Sequence, residues 1–393
     1  MHMKFILFLL LSLALVFGLH YAFFRSCIYF FHISRPSLKL ALYAVMLFLT
    51  VSFITAFMLV HWRENLWTIS YYKFAAVWMG FLIHALAAVA AVWLVLGIGR
   101  LSGLALPGKT IAAVFLVIAA AGSAFGIWAA FHPVVRDVSI PVRHLPESWK
   151  NRTIIQLSDI HLGHFHRRGF ARRVVEAVNA LEPDLVVVTG DIIDGMGGSY
   201  AQNLKPFEDL QASQGMFFIT GNHEHYVGLK KALRLIENTP LTILDNAAVE
   251  IDGLEIVGVS YPGIKGISDI ENLALPKPAD KARMILFHTP TNMDTGGAST
   301  EERHFTNYWM PDTTFELNKR LDGDIQLSGH THHGQLFPIN VITRLLYAGH
   351  DYGLSTDGGF QLYTASGTGS WGPPMRTAGR SEIVRIRLTQ KKH

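Results

Sequence analysis

Four stretches of the chain, residues 5–24, 40–60, 74–99 and 110–131, contain no Asp, Glu, Lys or Arg, and nothing else in the sequence constrains the fold as strongly. A helix rises about 1.5 Å per residue, so roughly 20 apolar residues cross a hydrocarbon layer about 30 Å thick. A charge at mid-membrane costs about 2.5 to 3.5 kcal/mol, so uncharged runs separated by short charged loops read as membrane spans rather than core helices. Trp62, Trp67, Tyr71 and Tyr72 lie near span ends, where amphipathic rings favour the interface. The first run follows Lys4 and taken alone resembles an export signal, but three further runs favour an uncleaved helix. We expect a transmembrane domain over 1–135, a linker over 136–150 and a second domain over 151–393.

Charge separates the same two halves. Residues 1–135 hold nine charged side chains, only Glu64 of them acidic, for a net +7; with a whole-chain net charge of +4, the remainder carries −3. The half able to fold as a soluble domain is therefore slightly acidic and lacks a basic stripe interleaved with aromatics, which excludes nucleic acid as the expected partner. The expected partner is the lipid bilayer, in a multi-pass protein of the cell membrane. Loops 25–39 and 100–109 carry five Lys or Arg, against three for Lys4 and loop 61–73, which places the second domain on the outer face. Arg136 and Arg143 narrow that margin. Cys27 is the single cysteine, so an intrachain disulfide is excluded. His20 and His84 fall inside spans, where a neighbouring helix is expected to satisfy them.

From about residue 151 the pattern changes to short β-rich runs alternating with amphipathic stretches, an α/β signature. Five runs stand out: TIIQLS (153–158), DLVVVTG (184–190), MFFITG (216–221), RMILF (283–287) and DIQLSG (324–329). Each is followed at once by Asp, Asn or His. The first three are spaced about thirty residues apart, as in βαβ units. Buried strands so spaced deliver polar side chains to one sheet edge, where open α/β sheets place their ligand sites.

The residues delivered are Asp159 and His161 in DIH, Asp191 and Asp194 in GDIID, Asn222 and His223 in GNHE, His288 in FHTP, and His330 and His332 in GHTHHG. Imidazoles mixed with carboxylates suit Mn, Zn or Fe rather than Ca, whose sites are built from oxygen. One four-coordinate ion is too few for so many donors. Two ions sharing a carboxylate, about 3.5 to 4 Å apart, form the arrangement that clamps both oxygens of a phosphoryl transfer. His288 alone would read as structural; its place in the ordered set makes it a ligand candidate. His164, His166, His225, His304 and His333 fill no slot of that set and read as pocket or surface residues.

These five blocks, in this order, resemble the calcineurin-like metallophosphoesterase superfamily over roughly residues 153–335. The resemblance implies a double β-sandwich flanked by helices, so the βαβ reading covers only part of the sheet. It also implies Asp159, His161, Asp191 and His332 on one metal ion, and Asn222, His288, His330 and the bridging Asp191 on the other. His223 would then stand near the leaving oxygen with Asp194 orienting it. A pair of divalent cations supplies water activation near neutral pH, and His223 fits a general acid for the departing alkoxide. Asn222 fits as a neutral oxygen donor that keeps the centre positive toward phosphate.

Within the superfamily, LSDIHLG, TGNHEHY, LSGHTHHGQLFP and SWGPPMR resemble the transmembrane metallophosphoesterase branch, with its bacterial phosphodiesterases and enzymes similar to UDP-2,3-diacylglucosamine pyrophosphatase of lipid A assembly. Two features depart from that branch: a long stretch over 291–322, and His333 where Gly is usual. Arg376 could touch substrate phosphate through its bidentate fork, or serve as a surface or core-pairing group. FPINVITRLLY (337–347) reads either as a buried strand and turn or as a wall for acyl chains. Three functions stay open: hydrolysis of a phosphodiester or pyrophosphate in a lipid-linked substrate, tethered hydrolysis of soluble or cell-wall phosphoesters, and a catalytically silent membrane sensor. The sensor reading requires a missing ligand or a lost His223, and neither is missing.

Overall fold

The computed structural model describes residues 2–265, 273, 281–296, 302–303 and 308–391. The chain divides into two compact units: residues 1–128 with Leu336–Pro338 and Gly372–Thr377, and the remainder.

The first unit is built on α1 (His2–Phe30), α2 (Pro36–Trp62), α3 (Leu66–Leu101) and α4 (Gly108–Phe131). All four are long and apolar enough to cross a membrane. They overrun the uncharged stretches because charged residues such as Arg25, Lys39 and Lys73 continue the helices at their ends. Pro36 opens α2 at a position where its missing N–H costs nothing. Asn65 caps α3, accepting from Trp67 N at 2.9 Å and Thr68 N at 3.2 Å, while Thr68 Oγ1 accepts from Asn65 N at 3.1 Å. Phe23, Phe24, Met46, Leu49, Leu82 and Val89 pack inside, while Leu47, Phe48, Leu94, Val117 and Ile118 face outward. Helices apolar on every side suit lipid, not water.

Both membrane histidines are satisfied among the described residues. His20 Nε2 accepts from Trp78 Nε1–H at 2.9 Å. Ser123 donates its one hydroxyl proton to the Ala119 carbonyl, so His84 Nδ1 must be the donor in its 2.8 Å bond to Ser123 Oγ. That leaves His84 Nε2 to accept from the Thr377 hydroxyl at 2.7 Å. Arg376 also belongs to this unit, wholly buried, with its backbone N–H on the Gly126 carbonyl at 2.8 Å.

The second unit contains two six-stranded sheets. The first has the order β1 (Val134–Val142), β12 (Glu382–Gln390), β2 (Ile154–Leu157), β3 (Leu185–Thr189), β4 (Gly215–Ile219) and β5 (Thr242–Ile243). The second has the order β10 (Gly353–Asp357), β11 (Phe360–Thr364), β9 (Ile325–Ser328), β8 (Ala282–Phe287), β7 (Leu254–Val259) and β6 (Ala247–Ile251). All five sequence-expected strands are present as β2, β3, β4, β8 and β9. They end in two sheets, however, so the single sheet edge inferred from βαβ spacing is corrected to the facing edges of a pair. Part of the expected linker, 136–150, is strand: Val138, Ile140 and Val142 alternate inward, and β1 pairs in parallel with β12.

Side-chain alternation explains the layering. Ile154, Leu185, Val187, Phe217 and Ile219 of the first sheet meet Ile256, Met284, Leu286, Ile325 and Leu327 of the second in one core. The other face of the first sheet, through Ile155, Leu157, Val186, Val188 and Phe218, packs on α5 (Arg168–Asn179) and α8 (Leu229–Ile236). Val257, Val259, Ile285 and Phe287 on the outer face of the second pack on Leu317 and Leu321. This is a β-sandwich flanked by helices. Residues 339–346 form an exposed helix instead of the alternative strand and turn: Val341, Ile342, Leu345 and Leu346 recur at helical, not alternating, spacing, and all four lie exposed.

Candidate metal centre

The strands β2, β3 and β4 are paired in parallel, with Leu157 opposite Val188 and Val188 opposite Phe218, so their carboxyl ends lie level. β8 and β9 are likewise parallel, with Leu286 opposite Leu327. Gln156 ties the two sheets together: its Nε2 donates to Thr189 Oγ1 at 3.1 Å and across to the Ser328 carbonyl at 2.9 Å. The loops leaving these five strand ends are thereby held against one another.

Their side chains converge. His161 Nε2 lies 3.0 Å from His332 Nε2, and Asp159 Oδ1 lies 3.3 Å from His332 Nε2 and 4.0 Å from His161 Nε2. Beside them, Asn222 Oδ1 lies 3.1 Å from His288 Nε2 and 3.0 Å from His330 Nδ1. Asp191 stands between the two groups. Its Oδ1 accepts the His223 backbone N–H at 2.8 Å, which turns Oδ2 toward His288 Nε2 at 3.2 Å and His161 Nε2 at 3.9 Å. Asp159, His161 and His332, and likewise Asp159, Asp191 and His288, each bring their ligand atoms within 4.8 Å of one another.

Backbone conformation marks the same residues. Asp159, His161, Asp191, His330 and His332 all adopt positive φ, between 50° and 72°. Such left-handed conformations cost non-glycine residues on the order of 1 to 3 kcal/mol each, and five in one cluster require support from elsewhere. Two glycines allow the close approach. At Gly190, φ is +91° and an added Cβ would lie 2.6 Å from His288 Nδ1; at Gly329 it would overlap Ser158 Oγ and Asp159 Oδ2.

Electrostatics follow from the packing. Burial alone would raise both buried carboxyls, but the facing imidazoles hold Asp159 and Asp191 below their usual range. Burial and cationic neighbours hold His161 and His330 low, so their rings are neutral with lone pairs available. His288 goes the other way: Asp191 and Asp159 outweigh burial and push it up to about 9. Among the described residues the ion-pair partners of these two carboxylates are all histidines. Imidazole edges facing one another around two buried carboxylates, with no Lys or Arg in the set, fit divalent cations. Asp159, His161, Asp191, Asn222, His288, His330 and His332 meet here, and His161 also groups with Asp194 and His223 at the same spacing.

His223 lies beside this group, its ring 4.4 Å from that of His161. Burial opposes its protonation, but Asp191 and Asp194 prevail and raise its pKa. Asp194 Oδ1 stands 3.5 Å from His223 Nδ1, whereas the Gly195 backbone N–H donates to that nitrogen at 3.1 Å. Both Asp194 and a backbone amide therefore reach the Nδ1 side of the ring. Protonated on both nitrogens, the ring would turn Nδ1–H to Asp194 Oδ1 and Nε2–H toward Asp191 at 4.0 Å; only the neutral ring accepts from Gly195 at Nδ1.

Other histidines have partners elsewhere. His166 is wholly buried and bonds Ser370 Oγ at 2.9 Å, His225 Nε2 meets the Tyr261 carbonyl at 2.8 Å, and His333 Nδ1 meets Asp351 at 2.7 Å. His164 is buried, and His304 lies outside the described residues. Sequence reasoning passed over Glu224, though it is the last residue of the GNHE block. Its carboxylate accepts backbone N–H groups from Gly221 at 2.7 Å, Asp191 at 3.0 Å and Ile192 at 3.0 Å, which holds the Asp191 and Asn222 loops together. It also missed Tyr308, whose ring lies 4.7 Å from that of His330.

Residues 152–334 match the family described as Calcineurin-like phosphoesterase. A metallophosphoesterase of Aquifex aeolicus is 30% identical over 260 residues, 65% of this chain and 92% of that protein. One of Helicobacter pylori is 31% identical over 264 residues, 66% of this chain and 65% of that protein. A transmembrane protein with metallophosphoesterase domain from Danio rerio is 34% identical over 285 residues, 70% of this chain and 62% of that protein. The chain spans a little under two thirds of the length of the last two relatives. With the family match falling on the strands and loops that assemble the cluster, and a relative matched over 92% of its length, the chain belongs to the calcineurin-like metallophosphoesterase family.

Proposed function

We propose that this protein is a membrane-anchored hydrolase that cleaves a phosphodiester or pyrophosphate bond at a centre of two divalent metal ions, Mn, Zn or Fe. The observation that carries this reading is the convergence of seven donor side chains from five strand ends, with Asp191 Oδ2 turned toward both groups. Asp159, His161, His332 and Asp191 would hold one ion; Asn222, His288, His330 and the same Asp191 would hold the other. When bound, such a pair supplies Lewis acidity toward phosphoryl oxygens and lowers the pKa of water. In the reaction a water oxygen bonds to phosphorus, the bond to the leaving oxygen breaks, and His223, protonated on both ring nitrogens, gives its Nε2 proton to that oxygen and is left a neutral imidazole. The proton released from the attacking water passes to solvent, from which His223 is recharged. Asp194 keeps the ring turned for this transfer.

The substrate we favour is lipid-linked. Helix α10 (Ile339–Leu346; α6, α7 and α9 being Tyr200–Leu204, Asn222–Val227 and Glu316–Arg320) begins seven residues after His332 and turns Val341, Ile342, Leu345 and Leu346 to the outside. Its inward side carries Thr343, and the buried Tyr347 follows it, 6.5 Å between rings from His330. An apolar face left outward costs about 25 cal/mol per Å² in water and is relieved against acyl chains. A UDP-2,3-diacylglucosamine-like substrate of lipid A assembly is the narrower form of this proposal, and the outer face of the cell membrane the favoured side. A tethered phosphohydrolase of soluble or cell-wall phosphoesters is the second reading; the four spans alone favour it equally, and the exposed face of α10 supports the first.

The test presents the purified full chain with a lipid pyrophosphate, a simple diester and a monoester, each with Mn, Zn or a chelator, and identifies products by mass. Metal-dependent cleavage that favours the lipid substrate supports the proposal. Equal rates on lipid and soluble diesters favour the second reading, and no cleavage of any substrate by the metal-loaded protein overturns both. Protease accessibility on intact cells reports the side.

A further inference from the structure

An asparagine ligand has two chemically different ends, and only its oxygen can bind a cation. In this structure Asn222 Oδ1 faces the imidazoles of His288 and His330, and Nδ2 points away, donating to the Tyr308 hydroxyl at 3.2 Å. The Tyr226 hydroxyl is hydrogen-bonded to both Asn222 and Tyr308, so the amide nitrogen end sits in a phenol network. The Tyr308 ring also packs on His330, with 4.7 Å between centroids and 59° between planes. One side chain therefore touches two residues of the same half of the centre. Tyr308 lies in the stretch 291–322, one of the two features in which the sequence departs from the family branch it resembles.

We propose that Tyr308 is a positioning residue for one half of the metal centre: its hydroxyl fixes the Asn222 amide with the oxygen toward the ion, and its ring sets the plane of His330. The inference rests on the two-ion reading and assigns a task to the stretch 291–322. Partners of this kind orient metal ligands from behind, and their loss typically weakens metal binding by about 10- to 100-fold. The contacts of Tyr308 with Asn222 and His330 fall on that half, so the step that belongs to Asp159, His161 and His332 should not respond.

The test titrates Mn²⁺ into chelator-stripped full-length protein by calorimetry. Wild type should show two binding steps. Tyr308→Phe keeps the ring and removes the hydroxyl; it should weaken one step by about 10- to 100-fold and leave the other unchanged. Asn222→Ala should weaken the same step, and the double variant should be little worse than Asn222→Ala alone, because the hydroxyl acts through the amide. Matching melting curves of the metal-free proteins exclude a general loss of structure. Two steps of wild-type affinity in Tyr308→Phe, equal weakening of both steps, or full additivity with Asn222→Ala would each overturn the assignment while leaving the two-ion reading intact. Wild type that binds fewer than two ions would overturn both together.

Discussion

His223 and His288 show how one carboxylate, Asp191, acts on two rings placed differently around it. Both rings are buried, and both are raised by Asp191, but His288 Nε2 lies 3.2 Å from Asp191 Oδ2 whereas His223 Nε2 lies 4.0 Å away. Asp194 Oδ1 and the Gly195 N–H meet His223 at Nδ1 instead. His223→Asn should therefore keep both ions and lower kcat by about 10² to 10⁴-fold, the usual worth of general acid catalysis; metal content and steady-state kinetics on one preparation check this, and loss of metal would assign His223 to the ligand set. His288 must release a proton before its ring nitrogen can bind a cation. With its pKa pushed up to about 9, apparent Mn²⁺ affinity should rise by about tenfold per pH unit per displaced proton from pH 6 to 8 and level off above 9. Calorimetric titrations at three pH values test this, and a flat profile would mean that His288 binds no ion. At this scale much was legible in the sequence: each of the seven ligand candidates follows a β-rich run. Tyr308 was not, because nothing local marks a tyrosine more than eighty residues from its partner Asn222.

Elements explain why those side chains meet. Level strand ends in two parallel groups, stitched by Gln156, bring five loops to a common edge, and five left-handed residues of the cluster bend back into it. Gly329 lies at the exit of β9, where any Cβ would strike Ser158 and Asp159. Gly329→Ala should displace the Asp159 carboxylate and weaken metal binding by about tenfold or more, in line with other losses of ligand support; calorimetry with Mn²⁺ checks it, and wild-type affinity would show that the loop yields freely. Strand positions were readable from apolar runs bounded by Gly and Asp. Their division into two sheets was not, because pairing partners such as β12 with β1 and β2 are set by contacts more than 200 residues apart along the chain. Helix α10 was misread as one alternative because Ile and Val favour strands, yet the i, i+1, i+4, i+5 spacing of its apolar residues already carried the helical period.

Across the whole molecule, the sequence divides into an apolar, basic part and a slightly acidic α/β part, and each of the four helices contains one of the uncharged runs. The short segments Leu336–Pro338 and Gly372–Thr377, which group with the apolar helices, were not legible, since they are small pieces of the C-terminal half with no span-like pattern. The central claim concerns the two ions. Elemental analysis of the purified full chain after reconstitution with Mn²⁺, paired with anomalous scattering from its crystals, should find two ions per chain flanking Asp191, and both should be lost in Asp191→Ala. One ion or none in the wild-type protein, or ions bound away from Asp191, would contradict it.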